Sequence, residues 1–466
     1  MSRRLPVPLR TVAGPLARAV SRLEGRGAPD RIVHAAREAG LTPVTVLAGP
    51  KGTHLPDAPQ WVLIHEPSPP DARARFYEIA ASTPSLAIST REWEVWSGGV
   101  VGHPSSAPVW GEALPRVEDD EVEDRRRALR HAAELLWWEL PRGMHRDAPA
   151  GAAVRAAESF RRVCERQTLP SRFPAIPPAG ADSDAVFAAT FGVAHATFAG
   201  EVTADDGPRL DPEARPESPA PHADALAALE RTLLADLPRH IQHEMLALYL
   251  LPGPWGTLHA HQLVAVVADD SPLHRAAALR RRLSAHLGLV DRDLLVGACA
   301  DGTEPLVLSL ATLHGQLRRR LWRRPLRRLA LRLGARRLMG EDVIYDGLQG
   351  TDFVGTDLRA EVAALISVTG GVFRGGSAAQ ARELIFGAWP RVIALAAGRS
   401  PLEPLDAVHA DLAGRTDRAL SRVGSAARTQ PWGDPVALDR GRAAPLLREW
   451  GPALIRLQEV ALEVLG

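Results

Sequence analysis

One five-residue pattern occurs twice in this chain and constrains its fold more than any other feature. Gly-Pro-x-Gly-Thr stands at residues 49–53 and again at 253–257, 204 residues apart. Each copy is followed by a hydrophobic run, a short Ser-Pro turn, an amphipathic helical pattern and a further apolar run. A repeated order of elements at a fixed spacing is the signature of a duplicated unit. We therefore predict the same strand order and direction in residues 44–115 and 246–315.

The strands of each copy are predicted from short apolar runs bounded by turn residues. In the first copy these runs are 43–47, 61–64 and 85–88, and in the second they are 263–268, 294–299 and 306–310. Helical spacing of apolar residues over 71–81 and 273–287 predicts a helix between strands in each copy. Trp110-Gly111 and His314-Gly315 are taken as equivalent ends of the two copies, each ahead of a helical stretch.

These patterns predict an α+β protein of two small mixed-sheet units, each followed by a helical region. The expected divisions are a first unit (1–117), a helical region (118–199), a linker (200–224), a second unit (225–315) and a C-terminal helical domain (316–466). The linker assignment depends on composition, because residues 200–224 hold five prolines and seven acidic residues. Such a segment cannot bury a core and is expected to be extended.

The Gly-Thr loop followed by strand, helix, strand and helices resembles the polymerase-β-like nucleotidyltransferases, which include the aminoglycoside nucleotidyltransferases. The resemblance implies that Gly52 and Thr53, with Gly256 and Thr257, hold a nucleoside triphosphate. Lys51 would then steady the phosphate charge. In that family an Asp-x-Asp pair on the next strand and a third carboxylate on a neighbouring strand bind two Mg²⁺ ions. Adjacent carboxylates suit this hard cation, which aligns the attacking and leaving oxygens.

This chain departs from the family pattern at the expected metal ligands. The Asp-x-Asp position reads Asp57-Ala58-Pro59 in the first copy and His259-Ala260-His261 in the second. Asp57, His259 and His261 are therefore the only metal candidates there, and no third carboxylate stands on 86–88 or 306–310. We expect both copies to lack ordinary two-metal catalysis.

Three functional hypotheses follow from the resemblance and its departures. The favoured one is a catalytically degenerate protein that binds nucleotide, nucleic acid or a protein partner. The alternative is an active nucleotidyltransferase that moves a nucleoside monophosphate to a small-molecule or protein acceptor and uses Mg²⁺ with the triphosphate; otherwise no cofactor is expected. A third hypothesis is that the repeat is illusory and the chain is a helical scaffold with a small sheet.

Three further features of the sequence bear on function: a histidine cluster, a glycine-rich segment and the absence of common enzyme motifs. Four histidines, at positions 240, 243, 259 and 261, could bind Zn²⁺, although polar histidines at a helix end and a strand edge are the simpler interpretation. Gly370-Gly371 and Gly375-Gly376 could form a phosphate-contacting loop, but a helix–helix turn is favoured. The chain contains no P-loop, no Gly-x-Gly-x-x-Gly after a strand and no Gly-x-Ser-x-Gly, so these three enzyme classes are disfavoured.

The segment 318–338 carries ten arginines and is predicted to be helical, with Pro325 opening a second helix. Arg320, Arg324 and Arg328 lie four residues apart and so form one ridge. A solvated face or intramolecular pairing is favoured. Phosphate or nucleic-acid binding comes second, because arginine makes bidentate contacts with phosphate oxygens. Membrane association comes third.

Charge and cysteine content set the remaining expectations. The net charge of +1 gives no overall steering toward nucleic acid. Lys51 is the only lysine, and the resulting dominance of arginine is what a GC-rich bacterial genome produces. Two cysteines and no predicted membrane span or secretory signal indicate a cytoplasmic protein.

Overall fold

The structure is a computed structural model. It describes residues 27–49, 60–99, 108–114, 180–199, 237–252, 261–287, 305–321, 335–344, 358–376, 378–399, 403–429 and 443–465, with isolated positions in 153–178 and 231–235. Among these residues no helix combines the length and the apolar character needed to cross a membrane. The predicted linker 200–224 and the strand expected at 294–299 lie outside the described residues.

The first unit is a four-stranded mixed sheet with helices on both faces. Its elements are α1 (Ala28–Ala39), β1 (Pro43–Ala48), β2 (Trp61–His65), α2 (Pro70–Ile79), β3 (Ser85–Ser89), α3 (Thr90–Gly99) and β4 (Pro108–Gly111). The strand order is β3-β2-β1-β4. β1 is antiparallel to both of its neighbours, whereas β2 and β3 are parallel and are joined through α2.

The second unit repeats this topology. Its elements are β5 (Ala247–Pro252), β6 (His261–Val267), α6 (Leu273–Leu287), β7 (Leu306–Ser309), α7 (Leu310–Leu321) and β8 (Arg336–Gly340), preceded by α4 (Ser183–Ala199) and α5 (Arg239–Gln242). The order β7-β6-β5-β8 and the three strand directions match those of the first sheet. The predicted α+β class is thus confirmed. The predicted equivalence in strand order and direction also holds, although β8, the fourth strand of the second unit, lies beyond the predicted segment 246–315.

Strand register gives the residue correspondence between the units. Leu47 pairs with Val62 in the first sheet, and Tyr249 pairs with Val264 in the second, an offset of 202 residues. The two Gly-Pro-x-Gly-Thr copies are 204 residues apart, because β5 continues two residues further before its loop begins. The spacing between the two loop motifs is therefore two residues longer than the spacing between equivalent strand positions.

The fourth strand of each sheet ends in a glycine that approaches the first strand closely. Gly111 and Gly340 have φ values of +82° and +83°, in the left-handed region. A Cβ on Gly111 would lie 2.2 Å from the carbonyl oxygen of Val44, and one on Gly340 would lie 2.0 Å from that of Leu246. Glycine alone fits both the backbone conformation and this contact. The partners Val44 and Leu246 are again 202 residues apart, so the two glycines are equivalent.

This equivalence corrects the expected pairing of Trp110-Gly111 with His314-Gly315. Gly315 lies within α7 and faces Phe198 of α4, where a Cβ would be 2.6 Å from the Phe198 Cβ. It supports close helix packing and does not end a strand. The true counterpart of Gly111 lies 25 residues further along, at the end of β8.

The arginine-rich segment is also corrected. Its first part continues α7 to residue 321, but residues 336–340 form β8, so the predicted helix over 318–338 is wrong at its C-terminal end. β8 pairs with the apolar strand β5, and Leu338 is buried while Arg337 is exposed, as the two-residue period of a strand requires. The second unit therefore extends past residue 315, where its end was predicted.

The C-terminal part of the chain is helical. It contains α8 (Leu358–Gly375), α9 (Ala378–Glu383), a π-helical turn (Leu384–Ala388), α10 (Trp389–Ala396), α11 (Leu405–Ala413), α12 (Arg418–Thr429) and α13 (Ala444–Leu465). These helices form one core with α3 and with one face of the first sheet, including Val62, Ile64 and Leu86. The other face packs against α1 and α2. The second sheet shares a separate core with α4, α6 and α7.

The close approach of Gly111 to β1 predicts a large cost for a side chain there. We expect Gly111→Ala to lower the free energy of unfolding by about 1–3 kcal/mol more than Gly40→Ala, because its Cβ meets backbone atoms. Gly40 has a φ of +89° with open space around it, so it reports the conformational cost alone. Urea unfolding of both variants measures the difference. Equal costs for the two would contradict the clash.

Candidate functional site

Most of the residues predicted to hold nucleotide or metal lie outside the described residues. This applies to Lys51, Gly52, Thr53, Asp57, Gly256, Thr257, His259, Arg324 and Arg328. His261 begins β6 and Arg320 lies in α7. The two loops that carry the Gly-Thr motifs connect β1 to β2 and β5 to β6, so each leaves and enters its sheet at one defined end.

The parallel strand pairs that would present metal-binding carboxylates, β2–β3 and β6–β7, carry none. β2 reads Trp-Val-Leu-Ile-His and β3 reads Ser-Leu-Ala-Ile-Ser. In the second sheet, β6 reads His-Gln-Leu-Val-Ala-Val-Val and β7 reads Leu-Val-Leu-Ser. A two-metal site needs oxygen ligands on adjacent strands. Neither β2–β3 nor β6–β7 supplies them.

No three-residue metal cluster forms among His, Cys, Asp and Glu side chains within the described part of the chain. His240 lies in α5 and His243 follows that helix directly. The Gly370–Gly376 segment, considered as a phosphate loop, forms the last turns of α8 and the residue after it. A Cβ on Gly370 would lie 2.3 Å from Leu86 Cδ1, so this glycine permits close packing of α8 on β3.

A buried polar cluster stands instead at the carboxyl ends of β2 and β3. Ser89 ends β3, and Glu92 lies in the first turn of α3. The Ser89 amide donates to Glu92 Oε2 at 2.5 Å, and the Glu92 amide donates to Ser89 Oγ at 3.3 Å. This reciprocal arrangement is a capping box, which satisfies amide groups that the start of a helix leaves without helical partners.

Glu92 also joins two distant parts of the chain. Its Oε1 accepts a hydrogen bond from Arg73 Nη1 of α2 at 2.6 Å and another from the side-chain amide of Gln458 on α13. Glu92 is 0% exposed, and Arg73 and Gln458 are each 2% exposed. Burial would raise the pKa of the Glu92 carboxyl, but the Arg73 charge and the donated hydrogen bonds hold it below its usual range. The carboxylate is therefore ionised and paired.

His65, the last residue of β2, lies in the same buried region. Its Nδ1 is 2.6 Å from the Glu66 carbonyl oxygen, which can only accept, so Nδ1 carries the proton of the neutral ring. Nε2 is buried and has no hydrogen-bond partner among the described residues. Burial, with the nearby Arg73 charge, lowers the pKa of His65 to about 4. The ring is neutral at physiological pH.

The second unit has a polar cluster at the equivalent strand end. Register places Ser309 at the position of Ser89, because His65 pairs with Ser89 and Val267 pairs with Ser309. Ser309 Oγ accepts from the Thr312 amide at 3.2 Å and lies 2.7 Å from Thr312 Oγ1. Thr312 thus stands where Glu92 does. His195 Nδ1 of α4 lies 2.8 Å from Ser309 Oγ.

Both clusters lie at the opposite end of the sheet from the Gly-Thr loops. β2 starts where the first loop ends and finishes at His65, and β3 runs parallel to it. Sequence reasoning missed both clusters. The Ser-x-x-Glu spacing of residues 89–92 was a detectable signal for the capping box, whereas Arg73 and Gln458 reach it only through tertiary packing. In comparisons with family models, curated proteins and solved structures, none matches this chain.

The buried neutral His65 predicts a loss of stability in mild acid. The unfolded chain binds a proton near pH 6.5 and the folded chain only near pH 4, so the unfolded state binds more protons between these values. We expect the free energy of unfolding to fall as pH drops from about 6.5 to about 4, by up to about 3 kcal/mol from this group.

His65→Val tests this source directly, since the second unit has Val267 at the equivalent position. Urea unfolding at a series of pH values should show a shallower loss in His65→Val than in the wild type. His34→Gln, at a half-buried position of α1 in the same sheet unit, is the matched control and should keep the wild-type slope. An unchanged slope in His65→Val would disprove the assignment.

Proposed function

We propose that this protein is a non-catalytic, nucleotidyltransferase-like binding protein that takes nucleotide phosphate at the Gly-Thr loop of each unit. The observation that carries the proposal is a twice-repeated sheet in which this loop joins two antiparallel strands while β2–β3 and β6–β7 bear no carboxylate. Backbone amides in glycine-containing loops bind phosphate without a metal. Loss of the metal ligands would remove the transfer chemistry and leave this binding.

Two acidic residues that follow these strands support a binding function, because they already cap helices. Glu92 caps α3, and Asp269 Oδ1, just beyond β6, accepts from the Ala311 amide at 2.8 Å. Each therefore stabilises the start of the helix after the third strand. Both also lie at the end of the sheet away from the loop.

A cation at the loop end of the first sheet also supports phosphate binding. Arg374 of α8 donates from Nη1 to the carbonyl oxygen of Ser85 at 3.2 Å. Ser85 begins β3 and pairs with Trp61, the first residue of β2 after the loop. A guanidinium at this end favours an anionic ligand over a neutral one.

Direct binding measurements test the proposal. We expect ATP or GTP to bind by calorimetry both with Mg²⁺ and with excess chelator, and to release no pyrophosphate in either condition. Thr53→Val combined with Thr257→Val should weaken binding about tenfold or more, the size expected when hydrogen bonds to a charged group are lost. Arg374→Met should weaken the first site alone.

Thr416→Val, at an exposed position between α11 and α12, is the matched control and should bind as the wild type does. Mg²⁺-dependent pyrophosphate release that Thr257→Val abolishes would identify an active nucleotidyltransferase instead. Absence of binding to any nucleoside triphosphate would reject the proposal altogether.

A further inference from the structure

The two halves of the chain cover each other's sheets. We infer that residues 1–199 and 225–466 form a reciprocal pair, in which a helix of the first half completes the second sheet and helices of the second half complete the first. In each unit, one face of the sheet is therefore an interaction surface with an apolar core and a polar contact. The opposite half of the same chain covers it.

The first sheet is covered by the second half of the chain. Trp96 of α3 donates from Nε1 to Ser367 Oγ of α8 at 2.8 Å. The Tyr77 ring stacks on Phe373 with centroids 4.5 Å apart and an interplanar angle of 10°. These contacts join residues 271 and 296 positions apart, and they continue an apolar core that α8 and α13 share with β2 and β3.

The second sheet is covered by α4, which belongs to the first half. Arg280 of α6 donates from Nη2 to Asp184 Oδ1 at 2.5 Å and to Ser183 Oγ at 3.0 Å, at the start of α4. Near the other end of α4, Phe198 packs against Gly315 of α7. Helical residues within 153–160 join the same core, including Ala157 and Phe160.

The same structural position serves as the polar docking point in both units. The first-unit point is the Ser89–Glu92 box, which Gln458 of the second half contacts. The equivalent Ser309–Thr312 pair is contacted by His195 of the first half. Each unit is thus contacted at the same structural position by the opposite half of the chain. A reciprocal pair requires this arrangement.

Burial explains why the halves should stay together once formed. Without the second half, the face of the first sheet that carries Leu47, Val62, Ile64, Leu86 and Ile88 would lose its cover. Each of these side chains is at most 4% exposed in the folded chain. Exposing such a continuous apolar face to water is strongly unfavourable. The pair should therefore survive cleavage of the chain between the halves.

Cleavage of the folded full-length chain tests the inference. A specific protease site is introduced within residues 208–219, whose proline-rich and acidic composition predicts a linker, and a tag is placed at the C-terminus. After cleavage we expect light scattering to give the mass of the intact chain, 50.2 kDa. The tag should capture both fragments in equal amounts. Separation into two folded monomers on dilution would overturn the inference.

Substitutions at the two polar docking points test whether His195 and Gln458 hold the two halves together. His195→Ala and Gln458→Ala should each speed fragment separation about tenfold, as measured by loss of the untagged fragment during tag capture. Glu449→Ala removes an exposed ion pair with Arg422 on the second half alone and is the control, with wild-type separation expected. If a variant fails to fold, His195→Leu or Gln458→Met replaces it, since each keeps most of the side-chain volume and lacks the hydrogen-bonding group. Equal separation rates in folded docking variants and control would overturn these two roles.

Discussion

The buried ion pair between Arg73 and Glu92 is the interaction on which the first sheet unit and the helices packed on it depend. One carboxylate caps α3, neutralises an arginine from the crossover helix α2 and accepts a hydrogen bond from α13. Removing one partner of such a pair leaves an uncompensated buried charge, which typically costs about 3–5 kcal/mol. The Glu92 carboxylate therefore stabilises both the crossover between β2 and β3 and the packing of the C-terminal helix α13.

The two units keep backbone geometry and differ in their polar chemistry. Both end the fourth strand in a left-handed glycine beneath the first strand, and both cap the helix after the third strand with a serine. At the same strand end the first unit uses a charged pair, whereas the second uses a hydroxyl and an imidazole. The shared features are those that backbone hydrogen bonding requires, because unpaired backbone groups are costly wherever they are buried.

The sequence predicted the helices and strands that contain long apolar runs. It predicted few of the edge strands and few of the contacts between helices and sheets. β2, β3, β6, β7 and α6 were predicted close to their observed bounds, since hydrophobic periodicity is a local signal. The edge strands β4 and β8 were not predicted, because each is short and β8 begins with two arginines that suit a helix surface equally well.

The pairing of helices with sheets could not be predicted from the same signals. An amphipathic pattern shows that a face is buried but not which surface covers it, so each helical region was expected beside the unit that precedes it. Within the candidate site, only the capping box had a local sequence signal, the Ser-x-x-Glu spacing of Ser89 and Glu92. Arg73, Gln458 and His195 are brought to their partners by contacts across 19, 366 and 114 positions.

Native-state hydrogen exchange measures most directly whether each sheet shares one cooperative core with elements of the opposite half of the chain. We expect the amides of β2 and β3 to lose protection in the same opening as α13, and α4 to open together with β6 and β7, because cooperative units follow shared cores. Mass spectrometry on the intact chain at increasing denaturant resolves these segments. Exchange of α4 in step with β2 and β3, or protection of β2 and β3 that persists after α13 has fully opened, would contradict this expectation.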